Sequence, residues 1–210
     1  MTFPLCEENR TEENTAMRNT KLQRLIIIAM LSGVATLLMK LNFPLPFLPP
    51  FLKIDFAEIP AVLALLTLGP VAAIGVEFFK NVFYLMLSGS ITGVPVGEIA
   101  NFTTGVLFLI PIYLVYRKVS TSKGLTAGLI AGTVTMAFGM TVLNYLVFLP
   151  MYTKFLGMEA FVGQDLYMYL VAGVLPFNLI KGIALTLVMM LVFNKMKPWI
   201  MKQQRQLQVK

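Results

Sequence analysis

The chain has 210 residues, of which 57% are hydrophobic and 13% are charged, and its mean hydropathy is +0.77. Soluble domains carry about 25% charged residues, so this composition excludes an ordinary soluble domain and indicates an integral membrane protein. Histidine is absent and Cys6 is the one cysteine, which leaves neither a disulfide framework nor a Cys/His metal site.

The apolar runs are continuous and do not alternate, which favours an all-α membrane protein over a β-barrel. Six transmembrane helices are predicted, in chain order at residues 22–41, 55–68, 71–87, 98–116, 125–149 and 166–193. Residues 1–20 are polar, have no apparent cleavable signal peptide and are expected to be a disordered cytoplasmic tail. Residues 21–194 would form a six-helix transmembrane substrate-binding domain, followed by a basic cytoplasmic tail at 195–210.

Prolines and glycines mark the breaks between the predicted helices. Residues 42–54 contain four prolines, which predicts an irregular, proline-rich outer loop between helices 1 and 2. Because this loop is strongly apolar, it is interpreted either as a lid over a binding cavity or as an interfacial re-entrant loop. Gly69-Pro70 predicts a tight turn, and Pro150 is expected to end the fifth helix.

The net charge of +7 is distributed unequally between the two ends of the predicted helices. Six helices put both termini on one side, together with Lys21, Arg24, Arg117, Lys118, Lys123, Lys195, Lys197, Lys202, Arg205 and Lys210. The other side has only Lys40, Lys53 and Lys154. Cytoplasmic loops of membrane proteins carry the excess of lysine and arginine, so both termini are predicted to be cytoplasmic. Membrane topology therefore accounts for the positive charge without a nucleic-acid partner.

Several polar side chains interrupt the apolar helices at similar predicted depths. These are Asn81, Asn101, Asn144, Asn178 and Lys181, all in the outer half of the membrane or near its midplane, with Glu98 and Asp165 at outer helix ends. Intramembrane asparagines often join helices, and each could be structural. Their common depth beside an apolar loop favours a cavity that opens outward. Amides donate and accept, so the ligand would be neutral and rich in polar atoms.

The other charges in or near the predicted helices can be explained by neighbours in the sequence. Glu77 and Lys80 stand three residues apart and can neutralise one another on one helix face. Asp55 and Glu58 lie near the start of the second helix, where a carboxylate favours the helix N-terminus, and Glu58 is interpreted as such a cap.

No catalytic motif is present in the sequence. A P-loop, an H-E-x-x-H motif and a G-x-S-x-G motif are all missing, and neither aspartate lies at mid-membrane depth. We therefore predict a protein that is not an enzyme and has no catalytic residues.

The first helix carries a small-residue motif, Ala29-x-x-x-Gly33. Residues four apart share a helix face, and small ones allow a second helix to approach closely. The groove is interpreted as a partner-docking surface, with packing against a helix of the same chain as the alternative.

Two segments resemble a known family. FLPPFLKIDFAEIPAVLALLTLGPVAAIGVEFFKN (47–81) and GEIANFTTG (97–105), with N-x-x-K in the sixth helix, resemble the substrate-capture subunits of energy-coupling-factor vitamin transporters, in particular the riboflavin-binding branch. The resemblance covers nearly the whole chain outside the two tails.

The resemblance implies a subunit of the bacterial cytoplasmic membrane that binds riboflavin from outside and performs no chemistry. A separate membrane coupling subunit and two cytoplasmic ATPases would drive transport, and no cofactor would be needed beyond the transported riboflavin. Carried over by motif, Asn178 and Lys181 would contact the flavin or its ribityl chain, with Asn144 opposite. Asp165 is a candidate for the ribityl hydroxyls, whereas Asn81, Asn101 and Glu98 match motif positions that could equally be structural.

Two other functions remain open on the sequence. One is a capture subunit for a different vitamin, such as thiamin. The other is a self-sufficient secondary transporter with Glu77 or Glu98 as proton carrier. Inverted repeats would favour that transporter, and the sequence has no convincing internal repeat.

Overall fold

The computed structural model describes residues 4–44, 52–90, 93–156 and 163–208. Side chains are described for most of these residues but not for 4–20, 156, 164 or 205–208. The elements are α1 (Pro4–Lys40), β1 (Phe43–Pro44), β2 (Lys53–Ile54), α2 (Glu58–Leu68), α3 (Pro70–Ser88), α4 (Val96–Lys118), α5 (Ser122–Leu143), α6 (Leu149–Leu156), α7 (Gln164–Met168) and α8 (Leu175–Gln208). The described chain is therefore nearly all helical, as predicted.

Five helical segments in the described chain are long and apolar enough to cross a membrane. They are Lys21–Lys40, Pro70–Ser88, Val96–Lys118, Ser122–Phe155 and Asp165–Gln204. The predicted second span differs, because α2 has only 11 residues and is about 16 Å long, short of the ~30 Å hydrocarbon core. Ten of its residues are buried. It is thus shorter than the predicted second span, but it still carries the chain back through the bundle, because the Leu66 carbonyl near its end accepts from Gln204 near the end of α8 at 2.6 Å.

The predicted Gly69-Pro70 turn is confirmed. Gly69 has φ of 97° and ends α2, donating its backbone N–H to the carbonyls of Ala64 and Leu65. A positive φ is accessible to glycine because it lacks a Cβ. Pro70 then begins α3, at a position where its missing N–H leaves no helical bond unmade. The turn reverses the chain within one residue and packs α2 against α3.

Pro150 does not end the fifth helix, contrary to the sequence prediction. A π-helical segment, Asn144–Phe148, joins α5 directly to α6, which continues past Pro150. A second π-helical segment, Tyr169–Val174, precedes Pro176 in the same way and joins α7 to α8. Proline cannot donate to the carbonyl four residues earlier. A local π-turn accommodates that loss and lets the helix continue.

The chain ends also differ from the predicted tails. The helix α1 begins at Pro4, so residues 4–20 continue the first membrane helix where a disordered tail is predicted. Likewise α8 runs to Gln208 through most of the predicted basic tail.

Of the predicted proline-rich loop, the structure describes only the flanks, where β1 pairs antiparallel with β2. Residues 45–51, and with them the predicted lid, lie outside the described residues.

Glycines bring α4, α5 and α8 together around the polar side chains. A Cβ at Gly128 would lie 3.1 Å from the Ile112 Cα, and one at Gly132 would lie 2.6 Å from the Phe108 carbonyl oxygen. A Cβ at Gly182 would collide with the Thr133 side chain. These close approaches set the spacing between the three helices that carry the polar cavity described next.

Candidate ligand-binding site

A cavity of about 120 Å³ lies between α4, α5, α6, α8 and strand β2. Its wall combines three amides, two hydroxyls, two ammonium groups, two aromatic rings, and aliphatic and small residues. The lining residues are Leu52, Lys53, Gly97, Ala100, Asn101, Thr104, Met140, Asn144, Tyr152, Phe177, Asn178 and Lys181. The structure thus brings Asn101, Asn144, Asn178 and Lys181, four of the residues predicted from the sequence, to one cavity.

Asn144 and Asn178 are held in the same manner on opposite helices. Asn144 Nδ2 donates to the Met140 carbonyl at 2.8 Å, and Asn178 Nδ2 donates to the Val174 carbonyl at 2.9 Å. Each bond runs back one helical turn, and Asn144 begins the first π-helical segment. Because the carbonyl can only accept, the amide nitrogen faces the backbone. The Oδ1 atom and the second N–H of each side chain then remain available to a ligand.

Lys181 joins the cavity to a buried charge cluster. Its Nζ lies 2.9 Å from Glu58 Oε1 and 3.3 Å from Asp55 Oδ2, and the Lys181 side chain is 3% exposed. Glu58 Oε1 is also 3.8 Å from Lys80 Nζ, which pairs with Glu77 Oε2 at 2.6 Å. Three carboxylates and two ammonium groups therefore form one continuous network from the cavity wall to α3.

The network confirms one sequence interpretation and overturns another. The ion pair predicted between Glu77 and Lys80 is present within α3. Glu58, however, is not a helix cap: the residue before α2 is Ala57, without a side-chain cap, and the Glu58 carboxylate reaches Lys181 and Lys80. Asp55 does stabilise the start of α2, because its Oδ1 accepts from the Ala57 N–H at 2.9 Å. Glu58 is fully buried. A buried carboxylate needs a cationic partner, and a helix N-terminus alone does not offset the cost of burying its charge.

Three of the predicted site residues are not among those lining the cavity. Asn81 is buried in α3 and donates through Nδ2 to the Glu77 carbonyl at 2.8 Å. Glu98 is partly exposed in the first turn of α4, and Asp165 is exposed in the first turn of α7. Their predicted contacts with a ligand remain predictions.

Several lining residues were not predicted from the sequence, although a periodic signal exists for most of them. Gly97, Ala100, Asn101 and Thr104 follow the i, i+3, i+4, i+7 spacing of one helix face. Phe177 stands four residues before Lys181 and shares its face. Tyr152 has no such signal in the sequence, because it follows Pro150, which predicts the end of the helix.

The small-residue groove of α1 faces away from the charge network. Ser32 and Thr36 are buried, and Thr36 Oγ1 lies 3.4 Å from the Lys80 carbonyl oxygen on α3. Ala29 is exposed, and a Cβ built at Gly33 would have no heavy atom within 4 Å. Within the described chain, therefore, no neighbouring helix fills the space next to Gly33.

These features define a class of protein: a multi-pass helical membrane protein whose intramembrane polar groups converge on one cavity. A family model described as "ECF transporter, substrate-specific component" matches residues 23–193. The chain belongs to this family of substrate-specific components of ECF transporters, which are transporter components and not enzymes.

Comparison with individual proteins agrees with the family. The chain is 48% identical over 183 residues to riboflavin transporter FmnP of Bacillus subtilis (strain 168), covering 87% of this chain and 96% of that protein. It is 40% identical over 174 residues to riboflavin transporter RibU of Staphylococcus aureus (strain TCH60), covering 83% and 90% respectively. A solved structure of the S component of a bacterial ECF transporter superposes with a TM-score of 0.73 and 39% identity, covering 86% of this chain and 98% of that one.

Proposed function

We propose that this chain binds riboflavin in the cavity between α4, α5 and α8, as the substrate-specific component of an ECF vitamin importer. The observation that carries the proposal is the convergence of Asn144, Asn178 and Lys181 on one cavity in a chain similar to two riboflavin transporters. The isoalloxazine ring offers carbonyl acceptors and one N–H to these groups. Its apolar edge suits Met140 and Phe177.

The charges of the cavity favour a neutral ligand over thiamin. The charged side chains among its described lining residues, Lys53 and Lys181, are both cations. A thiamin molecule carries a positive charge and finds no carboxylate among these lining residues, because Asp55 and Glu58 are already paired with Lys181. Riboflavin is uncharged and needs no such partner. This difference argues against the alternative of a thiamin-binding component.

The volume of the cavity implies movement on binding. About 120 Å³ is well below the roughly 300–1,000 Å³ of sites for ligands of this size. The outer wall consists of Lys53 on β2, the preceding Leu52, and Tyr152 on α6. A two-residue strand and a short helix can shift more readily than the long helices α4 and α8. We infer that riboflavin enters by displacing this wall and that the cavity closes around it.

The family membership also argues against a self-sufficient secondary transporter. Glu77 is paired with Lys80 behind the cavity, and Glu98 is not among the lining residues, so neither proposed proton carrier meets the ligand. We infer that a membrane coupling subunit and two cytoplasmic ATPases supply the energy, as the family implies. The chain would act in the cytoplasmic membrane of a bacterium, since the two relatives are transporters of bacteria.

Titration of the purified chain with riboflavin tests the proposed function. Binding should quench the flavin fluorescence and perturb its absorption spectrum, because the ring moves from water into an apolar cavity. Thiamin, titrated by calorimetry under the same conditions, should give no binding heat. Saturable binding of thiamin without binding of riboflavin would contradict the proposed ligand.

We propose that both termini lie in the cytoplasm, as the lysine and arginine distribution indicates. In a Cys6→Ser background, a cysteine at Lys154 should react with a membrane-impermeant thiol reagent in intact cells, whereas one at Ser120 should be protected. Lys154 lies in α6 and Ser120 between α4 and α5, so they test opposite ends of one helical segment. The reverse labelling pattern would invert the topology and place the cavity mouth inside.

We propose further that the Ala29-x-x-x-Gly33 groove docks the coupling subunit. The exposure of Ala29 and the open space at Gly33 support an external partner over packing within the chain. Gly33→Trp should prevent co-purification of the coupling subunit, because the indole would fill the space that the partner helix needs. Riboflavin binding by the isolated chain should be unchanged.

Val34→Trp is the matched control for the groove. Val34 is also exposed on α1 but lies about 100° around the helix from Gly33, so a tryptophan there should leave assembly intact. Loss of riboflavin binding together with assembly in Gly33→Trp would mean that the groove packs inside the chain.

A further inference from the structure

The ammonium group of Lys181 lines the cavity and also contacts two carboxylates, Asp55 just before α2 and Glu58 at its first position. We propose that Asp55 and Glu58 are positioning residues for ligand binding, which hold the Lys181 ammonium so that one N–H stays directed at a neutral acceptor in the cavity. This inference rests on the proposed function, because it concerns the same ligand site.

The donor count of Lys181 supports this role. An ammonium group has three N–H donors. Glu58 Oε1 accepts one at 2.9 Å and Asp55 Oδ2 accepts another at 3.3 Å. The third donor is left for the cavity that Lys181 lines. A lysine side chain carries considerable rotamer freedom. Two fixed acceptors on a separate element therefore orient the head group before the ligand arrives, which lowers the entropic cost of binding.

The same two carboxylates determine what Lys181 can recognise. An isolated ammonium in a site of low dielectric constant would favour an anionic ligand. Here two carboxylates lie closer to Nζ than 3.5 Å and compensate its charge. The Lys181 donor is thus suited to a carbonyl or hydroxyl oxygen, which is the chemistry that riboflavin presents.

Glu58 has a second cationic neighbour on α3. Its Oε1 atom lies 3.8 Å from Lys80 Nζ, but Lys80 pairs more closely with Glu77, at 2.6 Å. Glu58 and Glu77 are both completely buried and both contact Lys80. Of these two glutamates, Glu58 also contacts Lys181, whereas Glu77 forms no ion pair with Lys181 among the described residues. The chain therefore supplies a pair of residues with the same charge and burial that differ in their connection to the ligand site.

Riboflavin titration of Glu58→Gln and Glu77→Gln tests the assignment. Each variant removes one buried negative charge, so both should lower the thermal stability. Glu58→Gln should weaken riboflavin binding by about tenfold, since Lys181 loses a charge-assisted bond and is less well oriented. Glu77→Gln should leave the dissociation constant within about twofold of wild type. Asp55→Asn, at the longer of the two contacts, should weaken binding by about threefold and serves if Glu58→Gln does not fold.

A double-mutant cycle with Lys181→Met separates positioning from packing. In that background Glu58→Gln should have no further effect on affinity, because the group that Glu58 orients is gone. An equal loss of affinity in both backgrounds, or equal affinities of Glu58→Gln and Glu77→Gln, would overturn the positioning role while leaving the proposed function intact. A wild-type chain that does not bind riboflavin would overturn both.

Discussion

Replacing Lys80 with methionine should lower the free energy of unfolding by about 3–5 kcal/mol, the cost typical of removing one partner from a buried ion pair. Lys80 is completely buried, with Glu77 at 2.6 Å and Glu58 at 3.8 Å from its Nζ. Without it, the Glu77 carboxylate is left in the protein interior with no cationic partner at ion-pair distance among the described residues. Thermal denaturation of the purified variant in detergent, alongside wild type, measures the loss.

Two further variants show whether the unpaired charge is the cause. Lys118→Met removes an exposed lysine from the last turn of α4 and should change the free energy of unfolding by less than about 0.5 kcal/mol. Adding Glu77→Leu to Lys80→Met should recover much of the lost stability, because replacing both members of a buried pair is often nearly neutral. A Lys80→Met variant as stable as wild type would mean that the pair contributes little to the fold.

The structure shows why local pairs were predictable and distant ones were not. Glu77 and Lys80 are three residues apart, and helical geometry alone puts them on one face. Glu58 and Lys181 are separated by 123 positions, and no local periodicity relates them. The sequence showed that each of these charges needs a partner, and local rules assigned Glu58 to the nearest one, the terminus of its own helix.

Helix positions were predictable because apolar runs directly reflect burial in lipid or protein, whereas helix lengths depended on packing. The residues of α2 are apolar enough to predict a full-length span, but most of them are buried inside the bundle, where a shorter helix does not have to match the thickness of the lipid. The continuation through Pro150 depends on a π-turn, which costs less when neighbouring helices support the chain. Neither effect has a signature in the composition of the segment.

The amide residues of the site could be predicted because a polar group inside an apolar helix requires a reason. That rule selects Asn81, Asn101, Asn144 and Asn178 equally, and the sequence does not separate ligand contacts from structural amides. The structure makes the distinction through position: three of these asparagines line the cavity, and Asn81 does not.

Asn178→Ala should weaken riboflavin binding by about 10- to 100-fold, and Asn144→Ala by a similar factor. Both side chains are buried at the cavity wall, and each uses one N–H for a backbone carbonyl of its own helix. The remaining amide atoms would pair with the ligand, and alanine leaves that ligand atom unpaired in a buried site. Such a loss costs roughly 1–3 kcal/mol, which corresponds to about one to two decades in the dissociation constant. Fluorescence titration of the monodisperse variants measures it.

Asn81→Ala is the matched control for these two substitutions, because it removes the same group from a similar setting. Asn81 is buried in an apolar helix and makes the same bond back along its helix, from Nδ2 to the Glu77 carbonyl at 2.8 Å. It is not among the residues that line the cavity, so the affinity for riboflavin should stay within about twofold of wild type. If all three variants lose affinity equally, the asparagines act through the packing of their helices. If Asn178→Ala and Asn144→Ala both bind riboflavin as wild type does, the ligand does not occupy this cavity.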